Sequence, residues 1–392
     1  MLALPSLHYK NTETLMHVLL RRSLILLAVM AAQAGAADDN ARSLGPTTTA
    51  TRSLGIVAPA GESTIAYDIN ARGQVAAVLQ DEEGRQRGVL FEKGVLTELT
   101  PANGNFSDAK GINPDGKIIG SASQRDGTWR AFLFDRVNGR RELPTLGGPS
   151  SYGMAINDAG QVAGFADTAA GEWHAFVYGG GDALTDLGTL GGRVSYASGM
   201  NNAGQVVGTA ATHDDYRHAF VWDAAGGMRD LGTLGGRLSS ATAINDIGMV
   251  VGASEMPDRK WHAFVHDGKR MVDLGAIIGY GSSYASDINN RGHVVGTVLT
   301  GDERRTFVWR DGKMTVHRGG KGLHLTNAIN DAELVIGATY DLRMNAATMV
   351  SNAVPVVAKS PSVVFVYLGA MLLLGAAGVA YRRLRDPVTT GA

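Results

Sequence analysis

The sequence predicts an all-β protein whose four-stranded units close into a ring. Three observations carry that reading: a tandem repeat of about 44 residues, four short apolar runs in each repeat, and a strand-like segment at the start of the repeat region that its end lacks. Periods of 20 to 50 residues are the signature of solenoids, propellers and arrays.

The period is marked by a hydrophobic residue followed by Asn. It falls at Asn70, Asn113, Asn157, Asn201, Asn245, Asn289 and Asn330, with intervals of 43, 44, 44, 44, 44 and 41 residues. Within the third to fifth units the apolar runs are short, rich in Val, Ile, Phe and Tyr, and separated by Gly, Asn or Asp. Runs of that length and composition are strands. The turn between the first and second strands reads Asn-x-x-Gly, as in Asn157 to Gly160, Asn201 to Gly204, Asn245 to Gly248 and Asn289 to Gly292. Asn at the first position and Gly at the fourth specify a type I turn. The last unit departs, with Glu333 at the Gly position. These turns do not read as calcium loops, because a calcium site needs about six to eight oxygen ligands. Asp158 also aligns with Asn202, Asp246, Asn290, Pro114 and Ala71, so the carboxylate is not kept within the chain.

The second strand ends its motif at Gly120, Gly164, Gly208, Gly252, Gly296 and Gly337, with Ala77 in the first unit. The third strand reads His-Ala-Phe-Val at His174, His218 and His262, with Arg130 and Arg305 in equivalent places and Gly88-Val89-Leu90-Phe91 aligned to it in the first unit. A His exchanged for Arg and Gly across copies reads as a polar hydrogen-bonding position rather than a base or metal ligand. The Gly-Thr-Leu-Gly-Gly runs after Gly188 and Gly232 lack the Lys-Ser/Thr of a phosphate loop and read as turns.

The repeated His-Ala-Phe, the Asp-Leu-Gly-Thr-Leu-Gly-Gly and the Ile-Asn-x-x-Gly-x-Val-x-Gly resemble the extracellular HAF repeat family of bacteria, over about 300 residues. That resemblance implies a secreted or surface repeat protein and brings no catalytic residues.

Counting strands one by one gives six complete units and a seventh that lacks its fourth strand after Ala346 to Val350. Arg52-Ser53-Leu54-Gly55-Ile56-Val57 matches Arg229 to Leu234 in register and supplies the missing piece at the other terminus. A ring closed by pairing the two ends leaves only short edges. The fold expected over 52–350 is therefore a seven-bladed β-propeller, with a β-solenoid or two stacked sheets as the alternative.

The termini carry the compartment. Arg21 and Arg22 precede the apolar run Leu24 to Ala32, followed by Gln33-Ala34-Gly35-Ala36, which reads as a secretory signal over 1–36 with Met16 as a possible true start. A linker is expected at 37–51 and another at 351–362. Val363 to Tyr381 is 19 residues without a charge, expected as one transmembrane helix, and Arg382, Arg383 and Arg385 open a basic cytoplasmic tail over 382–392. This tail resembles a degenerate exosortase-type sorting signal, whose Val-Pro-Glu-Pro is present only as Val354-Pro355-Val356-Val357. The expectation is an exported, membrane-anchored protein with its repeats periplasmic or on the cell surface.

Net charge is -1 from 36 basic and 37 acidic residues, which excludes a field for nucleic acid. There is no Cys, which excludes thiolate chemistry and disulfides. No cofactor and no metal site is expected. In a meander, the loops after the second and fourth strands share one face, and there the sequence varies. Phe106, Tyr152, Tyr196 and Tyr284 fall on it and are the candidate ligand-binding residues, for a saccharide, peptide or cell-envelope partner. Packing between blades is the competing reading for these Tyr residues and for Trp129, Trp173 and Trp261, which precede the third strand identically. The alternative function is a propeller hydrolase or lyase with a site in the central channel. Its irregular candidates are His293, His317 and His324 with Asp287. The sameness of the middle units argues instead for a non-catalytic binding or scaffold module.

Overall fold

A computed structural model describes residues 56–57, 63–99, 106–278, 281–301, 303–317, 325–338 and 346–351. All of them are strands, turns and loops except the four-residue helix Gly275–Ile278. The strands form seven antiparallel four-stranded sheets. Six are blades of consecutive strands, of which the first runs Ser63–Ile69, Val75–Gln80, Gln86–Glu92 and Val95–Glu98. The others occupy 111–142, 147–186, 191–230, 239–273 and 282–317.

The expectation of seven blades is corrected to six. The chain builds six self-contained blades, and the remaining sheet is a composite of Leu325–Ile329, Leu334–Ala338 and Ala346–Ser351 with the N-terminal Ile56–Val57 as its outer strand. That outer strand pairs Ile56 with Ala347 and Val57 with Ala346. Alignment with the fourth blade would put Leu54 opposite Ala347, because Leu231 donates to the Ala219 carbonyl there. The pairing has slipped by two residues, a shift that keeps every side chain on its own face. Among the described residues no helix is long and apolar enough to cross a membrane. The expected span at 363–381 lies outside the described residues, as do the segments 1–36, 37–51 and 382–392.

Apolar side chains are shared between neighbouring blades. Phe132, Phe176, Phe220, Phe264 and Phe307 are fully buried at the equivalent position of the third strand. Phe220 packs with Ala163 and Ala175 of the preceding blade, and Phe264 with Val207 and Ala219 in the same way. The composite sheet is held similarly: Ile329 and Val335 pack on Val295, and Ala328 and Ile336 on Val75 and Val89. Burying one such side chain contributes about 1.5–3 kcal/mol.

The second-strand Gly has a steric cause. A Cβ at Gly164, Gly208 or Gly252 would sit 2.0 Å from the carbonyl oxygen of Tyr152, Tyr196 or Ser240 on the innermost strand. A β-bulge lies in that strand in each case. In the first blade, by contrast, Ala77 pairs with Ala66 and fits fully buried.

Candidate functional site

The innermost strands carry the repeated Asn, and its side chain does more than cap a turn. Oδ1 of Asn201 accepts from the Gln205 amide at 2.9 Å, which fixes the turn. Its Nδ2 donates to the Asn245 carbonyl of the next blade at 3.0 Å. The same bond runs from Asn70 to Asn113, Asn113 to Asn157, Asn157 to Asn201, Asn245 to Asn289, Asn289 to Asn330, and back from Asn330 to Asn70. All seven Asn are buried. One turn position further out, Asp158, Asn202, Asp246, Asn290 and Asp331 form an exposed arc in which each of the first four backbone amides donates to the next side chain at 2.8–2.9 Å. The alternation of acid and amide is thus a pairing rule. Among the described residues no group of three or more His, Asp or Glu could hold a metal ion.

The third-strand His positions resolve as hydrogen-bond partners of fourth-strand carboxylates. His174 Nδ1 lies 2.8 Å from Asp186, His218 Nδ1 2.7 Å from Asp230 and His262 Nδ1 2.9 Å from Asp273. In the first blade the alignment is corrected by one residue. Val89, not Leu90, stands opposite Ala77, so Arg87 takes the His place and pairs with Glu98.

The innermost strands differ in their buried acids. Asp68 accepts from the Ile112 amide of the next blade at 2.8 Å, and Asp287 accepts from the Ile329 amide at 2.7 Å. Each also accepts from the amide of the residue that follows it. Burial pushes the Asp287 carboxyl up to about 8, with Asp68 adding to the rise and the two amides opposing it. Burial raises Asp68 and Asp108 too, and Lys110 lies 3.8 Å from Asp108 and 3.6 Å from the Tyr67 ring centre. The His residues expected beside Asp287 do not gather there. His293 faces Glu333 at 3.2 Å, His317 ends the outermost strand Lys313–His317, and His324 lies outside the described residues.

On the loop face, aromatic side chains of the second, third and fourth blades converge. Tyr152 is sandwiched between Trp129, 5.5 Å away at 25°, and Phe165, 5.1 Å away at 21°. Trp173 meets both Tyr152 and Phe165, and Tyr196 meets Phe165 edge-on at 5.2 Å. Phe165 joins because it is the register partner of Tyr152, which the repeat alone does not reveal. Trp129, Tyr152, Phe165 and Trp173 are partly exposed, whereas Tyr196 is buried at 4% with Arg217 over its ring. Arg193 pairs with Glu172 beside this cluster. Tyr284 stands apart on the sixth blade, stacked on Trp261 at 6.2 Å and 27°. Phe106 enters the second blade, where its carbonyl accepts from the Ser123 amide at 2.9 Å and its amide donates to the Ser123 hydroxyl.

No family model matches the sequence, and no curated protein matches it. Solved structures do resemble the fold. The β-propeller domain of the Trilobed protease from Pyrococcus furiosus is similar at a TM-score of 0.53 and 12% identity, covering 74% of this chain and 96% of that one. A puromycin-hydrolyzing peptidase from Mycobacterium tuberculosis is similar at a TM-score of 0.54 and 12% identity, covering 77% of this chain and 53% of that one. The BP39L lectin from Burkholderia pseudomallei matches at a TM-score of 0.49 and 11% identity, over 78% of this chain and all of that one. At 12% identity the likeness to the first of these shows a β-propeller fold and nothing finer.

Proposed function

We propose that this protein is an exported, non-catalytic binding module that recognises a saccharide on its loop face. The observation that carries the reading is the partly exposed cluster of Trp129, Tyr152, Phe165 and Trp173, rimmed by the Arg193–Glu172 pair. Aromatic faces offer flat apolar area to the C–H face of a sugar ring, and their polar tips with the rim offer hydrogen bonds. The ion pair cancels its own charge, which favours a neutral hydroxylated ligand over a charged peptide. The HAF-type repeat and the secretory segment fit the same reading. The competing hydrolase or lyase reading rests on Asp287, whose raised carboxyl would suit a general acid. Both of its oxygens are engaged by backbone amides, one from the adjacent Ile288 and one from Ile329 across a blade junction, which is the position of a staple.

The test is a glycan screen with the full chain, followed by Trp129→Ala and Trp173→Ala. Binding that falls at least tenfold in these variants, with unchanged thermal unfolding, supports the proposal. Binding indifferent to both, or none to any glycan, overturns it.

A further inference from the structure

We infer that the loop face carries a second saccharide site, at the junction of the fifth and sixth blades, so that one molecule takes two sugars of a glycan surface. This rests on the saccharide reading above. At the junction of the second and third blades Trp129 opens a third strand, and Tyr152 follows it by 23 residues on the next innermost strand. At the junction of the fifth and sixth, Trp261 and Tyr284 repeat that spacing of 23 residues. The two pairs share their geometry. The ring planes meet at 25° and 27°. The Trp amide is held by the next blade's Ser in both, Trp129 by Ser150 at 3.1 Å and Trp261 by Ser282 at 3.2 Å. Each Trp is therefore fixed by its backbone and backed by a Tyr, and each remains partly exposed.

Copying alone does not account for the second pair, since the chain abandons the arrangement at other junctions. Between the fourth and fifth blades the equivalent positions are Arg217 and Ser240, and between the sixth and the composite sheet they are Arg304 and Leu325. Between the third and fourth, Trp173 turns to Tyr152 and Phe165, while Tyr196 is buried. The second pair also lacks a third ring, because the register partner of Tyr284 is Thr297 where Tyr152 has Phe165. Its rim again carries an ion pair, Lys260 Nζ 2.8 Å from Asp258, with Arg259 between them in the chain. The two pairs are thus separate platforms of one chemistry on one face. Two weak sites acting on an arrayed ligand raise avidity by about 10²–10⁴ over one.

The experiment is calorimetric titration of the full chain with a soluble oligosaccharide taken from the glycan screen, paired with binding to the same sugar immobilised at high density. Two sugars per chain are expected in solution, falling to one in Trp261→Ala and one in Trp129→Ala, with binding to the dense surface weakened about 100-fold or more by either change. Trp261→Phe keeps a stackable ring and should retain both sites, which separates loss of a platform from loss of folding. A stoichiometry of one that Trp261→Ala leaves unchanged overturns the second site and leaves the first standing. Absence of binding to every sugar overturns both.

Discussion

Replacing Asn201 by Ala removes three hydrogen bonds at once: the Gln205 amide to Oδ1 at 2.9 Å, Nδ2 to the Asn245 carbonyl at 3.0 Å, and Nδ2 to Gln205 Oε1 at 2.8 Å. Asn201 and Asn245 are each only 3% exposed, so the Asn245 carbonyl is left without water to replace it. With a net worth of about 0.5–1.5 kcal/mol for each bond and a larger cost for an orphaned buried group, the loss should be about 2–4 kcal/mol. Asn201→Asp tells the two halves of the side chain apart. It keeps the acceptor for the turn but sets a carboxylate against the Asn245 carbonyl, where only a donor fits. Its folded-state acid is therefore held above the ordinary carboxylate range, so stability should fall as pH rises from 4 to 7 and the Asp variant should be the weaker of the two at pH 7. Urea unfolding followed by Trp fluorescence at both pH values measures this. An Asn201→Ala variant within about 0.5 kcal/mol of the parent, the ordinary range for an unimportant surface change, or an Asp variant as stable as the parent at pH 7, would refute the inter-blade role.

Asp287→Asn should flatten the dependence of stability on pH, at the loss of one of the two backbone amides that Asp287 accepts, since Nδ2 cannot accept. The folded carboxyl titrates near 8, above its unfolded value, so the folded state holds the extra proton and the parent loses stability between about pH 4 and 8; the Asn variant should show a flatter pH profile of thermal unfolding. Glu333 sits at φ 61°, the place of a Gly in the other six units, and holds Arg291, His293 and Arg310 within 3.2 Å. Glu333→Ala keeps the left-handed strain of about 1 kcal/mol and loses the pairs, so chemical denaturation should find it less stable than Glu333→Gly, which relieves the strain. Gly208→Ala drives a methyl to 2.0 Å from the Tyr196 carbonyl, and should cost more than about 3 kcal/mol or prevent folding, as read by circular dichroism and yield.

The repeat was legible in the sequence because turn chemistry is local: Asn at one position and Gly three residues on determine a type I turn whatever surrounds them. The six contiguous blades followed from the same punctuation. What stayed hidden depends on neighbours about 44 residues away in the chain. Asn201 looked like a turn residue because its Oδ1 acts locally, while its Nδ2 reaches a carbonyl that only the curvature of the ring brings close. Asp158 and Asn202 looked like drift, since alternation has meaning only when consecutive turns touch. Arg87 was missed by one residue because the first blade has no His-Ala-Phe to anchor the alignment, and pairing with Glu98 settles it. In the candidate site, Tyr152 and Trp129 were visible as a repeated spacing. Phe165 was not, because a cross-strand partner is a matter of register.

The loop of amides from Asn70 through Asn330 and back to Asn70 has no first member. It acts as a hoop: load placed on any blade junction passes tangentially through every other, so no junction is an end from which the domain can fray. The chain's own starting point is then arbitrary to the fold. A circular permutant opened at the exposed Gly180–Gly181 turn, with a linker joining the composite sheet's strand Ala346–Ser351 to its outer strand Ile56–Val57, should keep the same hoop and unfold in one transition. Adding or deleting a single unit, by contrast, changes the circumference at every junction simultaneously, so the number of repeats is the one property of this chain that local substitution cannot tune.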